Sequence, residues 1–242
     1  MKRGIYRKIH LHSLRKNESA GHFKSFVYGG LDGIITTFAV VAGVAGAGLS
    51  SGVLLIMGFA NIFADGISLA IGDYLSTRAE NEYKASEKKN ALFYFKNYPK
   101  KEKQDLVTYY MKEGMSRSSA EKLVALMSKN KNVLNRTVMS EELDIMSRKE
   151  SPLKNAIVTF LSFIIFGFLP LAAYIAESFV DLPGENFATA GILTLIALFT
   201  LGSIKGEISG KHWFKSAIET VVIGGLAAFA AYLVGYLLSG IM

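Results

Sequence analysis

Five apolar runs, separated by segments that hold nearly all the charge, constrain this 242-residue chain more than any other feature. Gly33 to Leu49 carries no charge and extends backwards through Phe26–Leu31 across a single acid, Asp32. At about 1.5 Å per residue, a helix over 26–49 reaches across a hydrocarbon core about 30 Å thick. A second run, Gly52 to Leu75, is broken only by Asn61, Asp65 and Asp73. Ser50 and Ser51 alone separate the two, which predicts a tight helical hairpin. Ala156–Ala176, carrying Pro170, Phe187–Ile204, and Ala217–Met242, with Glu219 near its start, supply three more. The expected fold is an all-α membrane protein of five transmembrane helices.

Orientation follows from Lys and Arg, because basic loops stay on the cytoplasmic side. Residues 1–25 hold seven, residues 77–154 seventeen and residues 205–215 three, which together are all 27 in the chain. The longer of the other two loops carries Glu177, Asp181 and Glu185 instead. The bias places the N-terminus and residues 77–154 in the cytoplasm and the C-terminus outside or in a lumen. A net charge of +7 therefore reads as topology, and membrane lipid rather than nucleic acid is the expected partner. No signal-peptide core or cleavage site precedes Phe26, so the first span is expected to direct insertion. The absence of Cys excludes disulfide scaffolds, thiolate metal sites and Cys nucleophiles.

These features divide the chain into an N-terminal cytoplasmic segment (1–25), spans one and two (26–76), a cytoplasmic helical domain inserted between helices 2 and 3 (77–154), and spans three to five (155–242). Within the insert, Thr77 to about Phe95 continues the second span as a helix that stops at Asn97-Tyr98-Pro99. Leu106, Val107, Tyr110 and Met111 recur at helical spacing over Lys100–Glu113, and Gly114 ends that helix. Ser118-Ser119-Ala120-Glu121 has the form of a capping box that opens a further helix. A last segment runs from about Asn132 to Arg148.

Ionisable residues inside a span cost about 2.5–3.5 kcal/mol each on insertion scales, so each one requires a reason. Asn61, Asp65, Ser68 and Gly72 fall in one narrow arc of a helix with 3.6 residues per turn. Asp73 lies about 80° round from Asp65 at 100° per residue. The stripe is expected to face the interior, where its oxygens suit a hard or borderline divalent cation or a proton relay. Asp32 and Asp73 also admit a plainer reading as solvated or capping residues at helix ends. Asp65 is harder to read that way, because it lies deeper with apolar residues on both sides. The glycines around Asp32 (Gly29, Gly30, Gly33, then Gly43, Gly46 and Gly48) either let helices pack closely or bare carbonyls to an ion.

In the insert, Glu102 and Asp105 share a helix face, and Glu141, Glu142 and Asp144 cluster later with Met139 one turn before Glu142. Carboxylates with a thioether suit Fe²⁺ or Mn²⁺, but a solvated charged face has the same pattern. His10, His12, His22 and His212 show no ligand spacing.

LDGIITTFAVVAGVAGA (31–47) followed by GISLAIGDYLSTRAENEY (66–83) resembles the vacuolar iron transporter family. PKKEKQDLVTYYMKEGMS (99–116) is similar to the cytoplasmic metal-binding helices of that family. SPLKNAIVTFLSFIIFGFLPL (151–171), ALFTLGSIKG (197–206) and ETVVIGGLAAFAAYLVG (219–235) are similar to its last three spans. The resemblance covers nearly everything after residue 22. It implies a five-span homodimer that exchanges cytosolic Fe²⁺, and often Mn²⁺, for H⁺, with no permanently bound cofactor. It also implies a transport pathway through Asp32 and the Gly72-Asp73-Tyr74 element, and a metal site at Glu102, Asp105, Met139 and Glu142.

Departures from the family pattern accompany the match. Asn61 stands where many members carry an acid, Leu69 replaces a methionine, and Ala91 and Tyr94 occupy positions that are often glutamates. Asp65 stands where a small residue is common, one turn from Asn61. The expected function is proton-coupled export of a divalent metal from the cytosol. Capture at the insert would lead to a mouth formed by Asp73 and Asp32 and on to Asp65 at depth, in a prokaryotic plasma membrane or an acidic, vacuole-like organelle. One alternative keeps the fold but changes the solute, with the insert as a degenerate arm. Another is an intramembrane aspartyl hydrolase, since paired aspartates can share a proton. The chain has LDG and IGDY but no second acid in a matching peptide-hydrolase context, so transport rather than catalysis is expected.

Overall fold

Gly48 turns the chain between its first two long helices. The first, α1 (Lys2–Gly46), ends where Gly48 adopts φ +65°. Its N–H bonds to Ala45 O and that of Leu49 to Val44 O, both at 3.1 Å. This paired closure needs a left-handed residue, which glycine adopts without a Cβ penalty. The second helix, α2 (Ser51–Asn97), begins at once. The first helix therefore stops at Gly46 rather than reaching Leu49, and it runs back through residues 2–25 instead of starting at Phe26.

The computed structural model describes residues 2–130, 133, 134, 137, 150–177, 179 and 186–241. Among them all regular structure is helical and no strand occurs. The remaining elements are α3 (Pro99–Lys112), α4 (Arg117–Met127), α5 (Pro152–Glu177), α6 (Asn186–Ile208) and α7 (Trp213–Ser239). Among the described residues, five helical stretches are long and apolar enough to cross a membrane: Gly21–Gly46, Ser51–Tyr94, and all of α5, α6 and α7. The chain is a multi-pass membrane protein. Pro170 sits inside α5 without ending it and is buried among neighbouring helices, the setting in which a span tolerates the lost backbone bond.

The chain forms two units, residues 1–76 with 151–242 and residues 77–150. In the first, α1 is the central helix, packed on α5, α6 and α7. Glycines make that approach possible. A Cβ on Gly29 or Gly33 would collide with the carbonyl of Thr159 or Phe163, one on Gly46 with that of Tyr232, and one on Gly235 with that of Gly43. For Gly29, Gly33 and Gly46 these contacts bear out the helix-packing reading, whereas a Cβ on Gly48 would meet nothing within 4 Å and that glycine serves the turn. Val41, Val44, Leu54, Ile62 and Leu171 form one buried cluster, and Ile34, Leu198 and Leu201 another. By contrast α2 meets the bundle through side chains, with Gly58 against Leu171 and Gly66 against Phe160 and Phe163. Its outer face (Ile56, Phe63, Ile67, Ile71) and that of α7 (Ile223, Leu226, Phe229, Leu237) are exposed, as a lipid solvent requires.

Gly235→Val is expected to lower the thermal midpoint of the detergent-solubilised protein by several degrees, because overpacking a tight seam costs about 1–3 kcal/mol. Gly225→Val, whose Cβ enters open space, is expected to leave it unchanged. Differential scanning fluorimetry reads both.

In the second unit, Leu106, Val124 and Leu134 form a small core with Val107, Tyr110 and Met127 around them. Gly114, at φ +97°, ends α3. The following helix starts earlier than the Ser118 capping box suggests. Ser116 is the N-cap, and its Oγ accepts the Ser119 N–H at 3.3 Å. The early start sets Arg117 one turn before Glu121, with Nε donating at 3.0 Å. That pair, Arg78–Glu82 and Glu80–Lys84 are exposed i,i+4 contacts, worth only about 0.3–0.5 kcal/mol apiece.

Candidate metal pathway

The hairpin sets the register of the acids. Asp32 stands as far before the end of α1 at Gly46 as Asp65 stands after the start of α2 at Ser51. At about 1.5 Å per residue each lies roughly 21 Å from the turn, level with the other. Asp73 and Ser25 form a second level nearer the far end. Asp32 thus stands beside Asp65 rather than above it, because α1 ends at Gly46 and the two acids are equally far from the turn.

Between α1 and α2 runs a groove of about 500 Å³. Lys24, Tyr28 and Asp32 line it from α1, at i, i+4 and i+8; Asp65, Ser68, Leu69, Gly72, Asp73 and Ser76 line it from α2. The structure therefore brings together four of the expected pathway residues: Asp32, Asp65, Ser68 and Asp73. Tyr74, half-buried, is not among the lining residues. Asn61 is not either. It lies deeper, toward the turn, with its Nδ2 buried and, among the described residues, without a hydrogen-bond partner; the Thr37 hydroxyl, fully buried on α1, shares that condition. Sequence reasoning missed Lys24 and Tyr28, although their four-residue spacing from Asp32 was the available signal.

The three carboxylates differ in their surroundings. Among the described residues, the side chains of Asp32 and Asp65 have no hydrogen-bond or ion-pair partner, and they are near enough for their charges to repel. In a low-dielectric setting that repulsion is relieved by a proton or by a dication between them. Asp73 is held. Its Oδ2 accepts from Ser25 Oγ at 2.8 Å and from Thr159 Oγ1 at 2.5 Å. Nearby, His22 Nδ1 donates to Asn155 Oδ1 at 2.9 Å.

In the unit of residues 77–150, Glu102 and Asp105 stand side by side on α3. Burial pushes the Glu102 carboxyl above its ordinary range, the Asp105 charge adds to this, and Lys101 opposes it. Met139 and Glu142, with Glu141 and Asp144, lie outside the described residues. Among the described residues no three His, Asp or Glu side chains converge as a ready-made metal centre.

The groove is lined by carboxylates and hydroxyls from two helices, and comparison with known proteins places the chain in a family. The model of the VIT family matches residues 23–236. A vacuolar iron transporter of Toxoplasma gondii is 38% identical over 229 residues, covering 92% of this chain and 76% of that protein. One of Plasmodium falciparum is 34% identical over 242 aligned residues, 97% of this chain and 88% of that one. Vacuolar iron transporter 1 of Arabidopsis thaliana is 28% identical over 225 residues, with 91% and 88% covered. With a family match along nearly its whole length and relatives at 38% and 34% identity, the chain belongs to the VIT family.

Proposed function

We infer that the protein is a transporter, not an enzyme, that moves Fe²⁺ out of the cytosol in exchange for H⁺, with Mn²⁺ as a second substrate. The observation that carries this reading is the Asp32–Asp65 pair, level on two helices and lining one groove. Two carboxylates of that kind hold either a dication or protons, and a site that must choose couples the two flows. The relatives' names support iron as the cargo and an organelle membrane as the location.

The proposed path starts at Glu102 and Asp105, with Met139 and Glu142 completing the capture site. It enters the groove past Asp73, reaches Asp32 and Asp65, and continues toward the turn by way of Thr37 and Asn61, whose unpartnered buried polar atoms would otherwise be costly in lipid. Residues 77–150 and the N-terminus lie on the cytosolic side in this reading, as the Lys and Arg distribution requires. The protein works as a homodimer, since α1 and α2 give the groove two walls and a second copy would enclose it.

Because the Glu102 carboxyl is raised, a proton must leave it before metal binds, so capture strengthens as cytosolic pH rises through and above the ordinary carboxylate range. The test is uptake into proteoliposomes loaded with protons and an internal pH dye. Fe²⁺, and to a lesser degree Mn²⁺, is expected to enter with lumenal alkalinisation. Metal entry with no pH change would remove the antiport, and no entry of either ion would remove the reading.

A further inference from the structure

We propose that Ser25 and Thr159 are positioning residues that limit how tightly Asp73 can hold a passing metal ion. The inference rests on the transport reading above and gives that path a specific kinetic property.

The geometry begins with Gly29. Its missing side chain lets α1 approach the backbone of α5 at Thr159, and the approach carries the Thr159 hydroxyl, fully buried, to the Asp73 carboxylate on α2. Thr159 has one hydroxyl proton and two acceptors in range, Ser25 O at 3.4 Å and Asp73 Oδ2 at 2.5 Å. The short, charge-assisted contact takes the proton. Ser25, also buried, donates its own hydroxyl to the same oxygen at 2.8 Å. A carboxylate oxygen has two lone pairs, and two donors occupy both. Asp73 can therefore offer a cation at most its other oxygen, which makes it a monodentate, weak station at the entrance to the groove.

A weak station suits a route, since an ion must leave each ligand as readily as it arrives. Neither hydroxyl needs to touch the metal; both act through Asp73. Thr159→Val keeps the side-chain shape and removes the donor, freeing a lone pair for chelation. One charge-assisted hydrogen bond corresponds to about a ten- to hundredfold change in an equilibrium.

The test is equilibrium binding and initial-rate uptake of radiolabelled Fe²⁺ under anaerobic conditions, with the full chain in nanodiscs and in proteoliposomes. Thr159→Val is expected to bind Fe²⁺ about ten- to hundredfold more tightly, with KM lowered to match and Vmax reduced because release slows. Thr159→Ser, which restores the hydroxyl, is expected to return all three to wild-type values. Ser25→Ala is expected to shift them in the direction of Thr159→Val and serves if the valine variant fails to fold. In an Asp73→Asn background Thr159→Val is expected to change nothing. Wild-type KM and Vmax in both donor variants, failure of serine to rescue, or a shift that persists without Asp73 would overturn the role. If wild-type protein carries Fe²⁺ and these results hold, only the positioning role fails. If wild-type protein neither binds nor carries Fe²⁺, the transport reading fails and takes this inference with it.

Discussion

Asp32→Asn is expected to abolish Fe²⁺ uptake by proteoliposomes, to roughly a hundredfold or more below wild type, while leaving the thermal midpoint within a few degrees. The amide keeps the volume of the carboxylate but removes one of the two charges that face each other at the same level of the hairpin. A lone Asp65 then has neither the repulsion that favours a dication nor a second anionic oxygen to share its charge. Since the Asp32 side chain has no hydrogen-bond partner among the described residues, its removal breaks no structural contact, and a loss of transport with a preserved fold separates function from packing. Full uptake by the variant would take Asp32 out of the path.

Asp65→Asn is expected to be nearly as severe, and Asn61→Asp is not expected to rescue it. On sequence alone the acid at 65 reads as a replacement for one missing at 61, one turn away on the same arc. The structure separates the two: Asp65 lines the groove with Asp32, whereas Asn61 lies deeper with its amide nitrogen buried. A carboxylate moved to 61 would be desolvated without facing Asp32, at a cost of about 2.5–3.5 kcal/mol at span depth. Uptake by Asp65→Asn, Asp65→Asn/Asn61→Asp and Asn61→Asp, measured in parallel, checks this. Recovery in the double variant would mean that the charge, and not its place opposite Asp32, is what matters.

Much of this arrangement was legible because the lipid solvent leaves few choices. A chain that must satisfy its backbone within hydrocarbon can only be helical there, so uncharged runs mark the spans, and Ser50-Ser51 marks the first hairpin. The arc of Asp65 and Ser68 follows from helical periodicity alone. Two things were not legible. The level of Asp32 depended on where α1 ends, and that end is set by Gly48 taking a left-handed conformation, a local choice that hydropathy does not encode. Asp73 read equally well as a solvated residue at a helix end. Its two hydroxyl donors come from residues 48 and 86 positions away in sequence, brought in by a helix crossing at Gly29 that periodicity cannot place. The N-cap at Ser116 was missed for a similar reason, since the capping-box pattern at 118–121 competes with a turn whose position Gly114 decides.

Transport by this route requires an ion to reside between Asp32 and Asp65. Anomalous diffraction at the iron edge, from crystals grown with Fe²⁺, locates that ion without a functional assay. An anomalous peak is expected in the groove within coordination distance of both carboxylates, and it is expected to vanish from Asp32→Asn crystals. A protein that transports Fe²⁺ but shows its bound ion elsewhere, with the Asp32–Asp65 groove empty, would contradict the route.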